Sequence, residues 1–251
     1  MLEQLLSPAT APLRRLSLSR LRLERGKGYL ADRTGGIKLV YILTGTVDIQ
    51  LQIVYLRNVG SRFRIDDLPS VAVIPEDIGF GIHAIETPVD ALVCTLSGAH
   101  IDTPLIIRPN DVREYVIGKD HYRRTVRESI GSDLPCELKC GETINPPGLW
   151  SSWPPHAFER KPELAPKFEE LFFYFGAEKE SWGYQRRDGT FCNGDTVDDI
   201  QVVEAGDALA IPLGEHPVTA GPDNKLGYVW FYVSPEAKHY HEQEDGSWLY
   251  D

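Results

Sequence analysis

His156, Glu170 and His216 carry the side chains in this sequence best suited to a borderline divalent cation. Imidazole nitrogen and carboxylate oxygen are the donors that zinc, manganese and iron accept. The three residues fall on successive apolar segments: the run GETINPPGLWSSWPPH, the strand-like EELFFYF, and GDALAIPLGEH. A β-barrel builds a metal site in this way, from parts of the chain distant in sequence. Three ligands leave open positions for water or substrate, as catalytic zinc sites do.

The elements that must position them follow from local chemistry. Ala208–Ile211 reads as a buried strand, and Pro212 and Gly214 read as a tight turn that aims His216 inward. Pro154 and Pro155 restrict the backbone on the approach to His156. Strand alternation allows only one of Glu169 and Glu170 to face an interior, and a carboxylate among aromatics requires a cation or basic partner to offset desolvation. Trp182, Tyr184 and Arg186 share one face of a strand and Gln185 takes the other. If the Arg186 side faces in, its guanidinium suits a substrate carboxylate; if the Gln185 side does, Arg186 is a surface charge.

Other candidates are weaker. His239 and His241 sit among Lys, Glu, Gln and Asp and read as a solvated tail, and His83 reads as an ordinary strand histidine. Cys94, Cys136, Cys140 and Cys192 form no Cys-x-x-Cys pair and read as small buried hydrophobes in a reducing cytoplasm, with a thiolate site at Cys136 and Cys140 a minor alternative.

Apolar runs rich in Val, Ile, Leu, Phe and Tyr recur along the whole chain between Gly-, Pro- and Asn-containing turns, which implies an all-β barrel or sandwich. A short helix is expected near 110–120, after Pro109. VAVIPEDIGFGIHAI parallels ALAIPLGEHPVTAG but has no histidine at the matching place, so two barrels are expected: 1–110 without metal, serving as scaffold or dimer surface, and 111–251 carrying the site. The 251 residues are enough for both. A net charge of −11 without a polybasic run disfavours nucleic acid and anionic membranes, and no apolar run approaches the roughly 20 residues of a membrane span. The amino-terminal stretch places its basic residues after its first leucines, which does not suit a signal peptide and points to a cytoplasmic protein with a small-molecule ligand.

The run GETINPPGLWSSWPPH, the acidic residue before an aromatic strand, and PLGEHPV together resemble the 5-deoxy-glucuronate isomerase family of inositol catabolism, which is related to the 5-keto-4-deoxyuronate isomerases. The resemblance extends more weakly back to about residue 38. It implies a bicupin of two double-stranded β-helix (jelly-roll) barrels, and it selects Glu170 over Glu169 as the ligand. It also implies a metal-dependent aldose–ketose isomerase, an intramolecular oxidoreductase acting on a deoxy-uronic acid. A Gln-Arg pair like Gln185-Arg186 is shared with that family, and with Tyr184 it is the expected substrate contact. One position departs: the family's His-x-His reads His156-Ala157-Phe158 here, so a phenyl ring replaces an imidazole and the metal site is weakened. Two alternatives follow, a diverged bicupin that binds a sugar acid without turning it over, and an iron oxygenase using the same His156, Glu170 and His216.

Overall fold

The structure is a computed structural model that describes residues 1–251 apart from 34, 53, 132–133, 135, 154–166, 178–179, 234–239, 243–247 and 251, with the backbone alone at 61, 240–242 and 248–250. The chain divides into two compact units, Met1–Pro8 with Arg15–Val112, and Ala9–Arg14 with Arg113–Asp251. The segment Ala9–Arg14 departs from a contiguous division at residue 110. Its attachment is visible in two bonds within the second unit: Arg14 N donates to Glu169 Oε2 at 2.8 Å and Cys192 Sγ to the Pro12 carbonyl at 3.5 Å.

The first unit holds β1 (Leu2–Leu6), β2 (Leu16–Leu23), β3 (Gly28–Ala31), β4 (Ile37–Leu51), β5 (Val54–Arg62), β6 (Ser70–Ile74), β7 (Phe80–Ala84), β8 (Val89–Leu96) and β9 (Leu105–Ile107). Its organiser is the fifteen-residue β4. The first half of β4 pairs with β6 and β8, and its second half pairs with β5 and β7. The strand changes partners around Gly45, whose φ of +87° and lack of a Cβ admit the Pro88 carbonyl, 2.4 Å from where that Cβ would be. The apolar run after Ile37 is therefore a bent strand paired on both sides by β5, β6, β7 and β8, with β5 as its hairpin return, so β4 itself is not an open edge. Val40, Ile42, Val47, Ile49, Ile82 and Val93 belong to the core it encloses. His83 lies on the exposed side of β7, its ring over Gly28 and Gly81.

The second unit begins with β10 (Arg113–Ile117), β11 (Arg124–Ile130), β12 (Leu138–Asn145), β13 (Trp150–Ser151), β14 (Glu170–Gly176), β15 (Trp182–Thr190) and β16 (Thr196–Glu204). It continues with β17 (Ala208–Ile211), β18 (Leu213–Glu215), β19 (Val218–Ala220), β20 (Leu226–Val233), β21 (Tyr240–Glu242) and β22 (Trp248–Tyr250). Six strands run in the order β10-β11-β12-β20-β14-β17, and a second sheet runs β13-β19-β15-β16 with β18 beside β15. Phe172, Tyr228 and Trp230 of the first sheet and Val203, Leu213, Val218 and Ala220 of the second form one core cluster, so the two sheets enclose a common interior. No α-helix occurs among the described residues.

The helix expected near 110–120 is instead a 3₁₀ turn, Pro109–Asp111, followed by β10 and a second 3₁₀ turn, Asp120–Tyr122. The cap chemistry is present, with Arg108 N donating to Asp111 Oδ2 at 2.9 Å. The sequence after it is Arg-Glu-Tyr-Val-Ile, which gains a full antiparallel register with β11 from Arg113↔Glu128 to Ile117↔Arg124. Tertiary pairing overrides the local helix start.

Gly141 illustrates how tightly the interior is packed. A Cβ there would lie 2.2 Å from Trp230 Cζ2 and 2.5 Å from the Arg127 carbonyl. Gly141→Ala should therefore cost about 1–3 kcal/mol by overpacking, read as a lowered midpoint in denaturant unfolding with an unchanged slope.

Candidate active site

The sequence EELFFYF alternates so that Glu170, Phe172 and Tyr174 share one face of β14. Across the sheet Glu170 stands opposite Ile211 and Tyr232, Phe172 opposite Leu209 and Trp230, and Tyr174 opposite Tyr228. This face is the interior one, since Phe172, Tyr174, Tyr228, Trp230 and Tyr232 all belong to the core cluster. Glu169 is also buried, and its carboxylate is engaged by the Arg14 backbone.

His216 reaches the same interior through the turn after β17. Gly214 has φ +149° and packs its Cα so closely on β15 that a Cβ would lie 2.1 Å from the Asp188 carbonyl. Only glycine allows this approach. Two residues later His216 is 3% exposed, edge-on to Phe172 at 5.8 Å between ring centroids. Its Nδ1 lies 3.0 Å from the Gly214 carbonyl, which accepts only if Nδ1 carries the proton. Nε2 then carries the lone pair, and it lies 3.8 Å from Glu170 Oε2.

Burial pushes the Glu170 carboxyl up to about 8. It also pushes the His216 imidazole down to about 4, with the Gly214 carbonyl opposing in part. Near neutral pH, then, His216 is neutral and Glu170 holds a proton that a cation would displace. Two donors that each bind a metal at about 2.0–2.2 Å stand roughly 3–4 Å apart. The fixed tautomer, the neutral imidazole and the N/O donor pair therefore fit a divalent ion. His156 and Phe158 lie outside the described residues, as does His239, and His241 is described by its backbone alone. Among the described residues no group of three or more His, Cys, Asp or Glu side chains converges. Cys136 and Cys140 are buried and not joined in a disulfide, and burial raises the pKa of Cys136.

Gln185 occupies the interior face of β15 and is fully buried. Its Oε1 accepts from Tyr174 Oη at 2.7 Å, and its Nε2 donates to the carbonyls of Arg186 at 2.6 Å and His216 at 2.8 Å. It thereby ties the His216 backbone to Tyr174. Tyr184 is exposed and meets Trp182 edge-on, while Arg186 pairs with Asp198 at 2.5 Å and Asp188 at 3.2 Å. Of the two arrangements the sequence left open, the structure has the Gln185 side facing in, so Arg186 is a surface charge and is not placed to hold a substrate carboxylate in this interior.

Several interior polar residues were not anticipated. Asn145 Nδ2 donates to Ser151 Oγ at 2.9 Å, and Tyr228 Oη donates to the same oxygen at 3.0 Å. Arg124 is 4% exposed, two residues before Val126, which packs on the core cluster, and burial lowers its pKa, with Tyr228, Tyr115 and Tyr122 opposing in part. The available signal was polar residues inside an otherwise apolar strand, as in GETIN.

The KduI/IolB family profile matches residues 3–249. The chain belongs to the KduI/IolB family. Family relatives include the 5-deoxy-glucuronate isomerase of Geobacillus kaustophilus, 25% identical over 217 residues, which covers 83% of this chain and 76% of the relative. The enzyme of that name from Bacillus licheniformis is 27% identical over 239 residues, 91% of this chain and 85% of the relative. An IolB-like protein from Salmonella typhimurium aligns with a TM-score of 0.83 at 18% identity, over 99% of this chain and 92% of that one. The oxalate decarboxylase of Lactobacillus farciminis aligns with a TM-score of 0.65 at 10% identity, over 93% and 81%. At these identities the structural likeness establishes the fold, an all-β bicupin whose units are jelly rolls.

Proposed function

We propose that this KduI/IolB family member is an aldose–ketose isomerase that interconverts 5-deoxy-glucuronate and 2-deoxy-5-keto-gluconate in inositol catabolism, with a divalent metal held by His156, Glu170 and His216. The observation that carries the reading is the Glu170–His216 pair at 3.8 Å in a buried interior, with the imidazole tautomer set for coordination. The names of the family relatives support the substrate class. A bound divalent ion would supply polarisation of the substrate carbonyl and the adjacent hydroxyl.

The residues of the chain supply the rest. Gln185 holds the His216 backbone, and Tyr174, anchored by Gln185, closes one side. Arg124 on β11 is the buried guanidinium we assign to balance the substrate carboxylate. The reaction is redox-neutral within one molecule: a proton leaves the carbon bearing the hydroxyl, one is added at the former carbonyl carbon, and the hydroxyl proton passes to the other oxygen.

Phe158 favours a second reading, a sugar-acid binder without turnover, because it removes one imidazole from the family's ligand set. Elemental analysis of protein purified without chelator, beside a nuclear magnetic resonance assay of 5-deoxy-glucuronate, separates the two. Stoichiometric metal with turnover is expected. Binding without metal or turnover would leave the binder. Phe158→His should raise metal affinity by about tenfold or more, because a fourth donor completes the site.

A further inference from the structure

The interior of the second unit contains a polar cluster separate from the Glu170–His216 pair. Asn145 ends β12 opposite Leu226, a core residue, and so faces the same interior. Asn145 and Ser151 are both fully buried and Tyr228 is 3% exposed. The amide orientation of Asn145 is fixed, because Nδ2 donates both to Ser151 Oγ at 2.9 Å and to the Val218 carbonyl at 3.3 Å, and a flipped amide would set oxygen against oxygen at Val218. Asn145 Oδ1 then has no hydrogen-bond partner among the described residues. A buried acceptor left in this state costs stability unless a ligand or water completes it.

Ser151 supplies the complementary half. Its oxygen receives bonds from both Asn145 and Tyr228, which fills its two acceptor positions. Its own hydrogen is then available to another acceptor, and if the Ser151–Tyr228 bond runs the other way the spare hydrogen is that of Tyr228. In either arrangement the cluster offers one buried donor and one buried acceptor. An alcohol hydroxyl needs that combination, one group to accept its hydrogen and one to donate to its oxygen.

We infer that Asn145, Ser151 and Tyr228 form the subsite for a non-reacting hydroxyl of a polyhydroxylated acid. The inference rests on the isomerase reading above and deepens it. The cluster is one aromatic layer from the metal-suited pair: the rings of Tyr228 and Phe172 are 4.4 Å apart, and that of Phe172 is 5.8 Å from His216. Asn145 also bonds the carbonyl of Val218, two residues after His216, so the cluster borders the pair on the side where a short sugar chain would carry its further hydroxyls. Recognition by paired buried donors and acceptors is also the kind that rejects deoxy analogues, because the analogue strands both groups.

The test is a cycle between protein and substrate. The dissociation constant, by calorimetry, and kcat/KM are measured for 5-deoxy-glucuronate and for analogues lacking the hydroxyl at carbon 3 or at carbon 4, on wild type, Asn145→Ala and Tyr228→Phe. Each variant should lose about 10- to 100-fold on the complete acid. For one analogue, which wild type already handles poorly, wild type and variants should be nearly equal. Tyr228→Phe changes one oxygen and carries the test should Asn145→Ala fold poorly. Equal losses on the complete acid and on both analogues mean that the cluster holds only a structural water, and the inference is overturned. Wild type that turns over the complete acid without any coupling defeats the subsite alone. Wild type that neither binds nor isomerises the acid defeats the isomerase reading, and the subsite with it.

Discussion

Glu170→Gln should reduce kcat/KM for the sugar acid by about a thousandfold or more, and His216→Ala should do the same, while the substrate-free fold survives in both. The magnitude follows from what each change removes. Glutamine keeps the volume of Glu170 on β14 but cannot become an anion, so it neither neutralises a cation nor displaces a proton to make room for one. The site is buried, with Glu170 at 7% and His216 at 3% exposure, so bulk solvent does not replace the lost charge. His216→Ala removes the one nitrogen whose tautomer the Gly214 carbonyl has set. Metal content measured on each purified variant should fall with activity. Full activity in Glu170→Gln would remove the carboxylate from the site. Stability is the control: at pH 7 Glu170 in the metal-free protein is already largely protonated, with its pKa near 8, so a neutral amide should change the unfolding midpoint little.

Much of this arrangement was legible in the residues because it depends on local rules. A strand, Pro212 and Gly214 before a histidine specify a turn whatever surrounds them, and period-two alternation along EELFFYF puts Glu170 with Phe172 and Tyr174. The face of WGYQRRDGT was not legible, because both of its sides carry polar groups. The choice is made by Tyr174 Oη finding Gln185, a partner eleven residues later in sequence on another sheet. Asn145, Ser151 and Tyr228 escaped for the same reason: each looks unremarkable in its own segment, and their meeting is set by the pairing of β13 with β19 and of β12 with β20. The lost helix after Pro109 shows the converse. A strong local signal, the Pro-Asn-Asp cap, yields to the pairing of a β-branched segment with β11.

Removing the metal should make stability fall as pH rises from about 6.5 to about 8, and adding it should reverse the trend. The signs follow from the two shifts. Glu170 is raised from 4.5 to about 8, so the folded state binds more protons than the unfolded state across that range; its contribution is full below about 4.5 and is lost as pH rises through about 8. His216 is lowered from 6.5 to about 4, so its contribution is full above about 6.5 and is lost as pH falls through about 4. The two slopes oppose each other between about 4.5 and 6.5, leaving Glu170 alone above that. The decline there should approach, at most, roughly 1.4 kcal/mol per pH unit. Glu170→Gln should flatten it. With saturating zinc or manganese the carboxylate is the bound form, so binding near pH 7 should release about one proton and tighten about tenfold per pH unit until Glu170 ionises unaided. Thermal unfolding of chelated and metal-loaded protein across this range reads both trends, and calorimetry in buffers of different ionisation enthalpy counts the proton. A chelated wild-type protein whose stability is level from pH 6.5 to 8 would mean that Glu170 is already paired with a cationic side chain, and the donor pair would then be structural instead of a metal site.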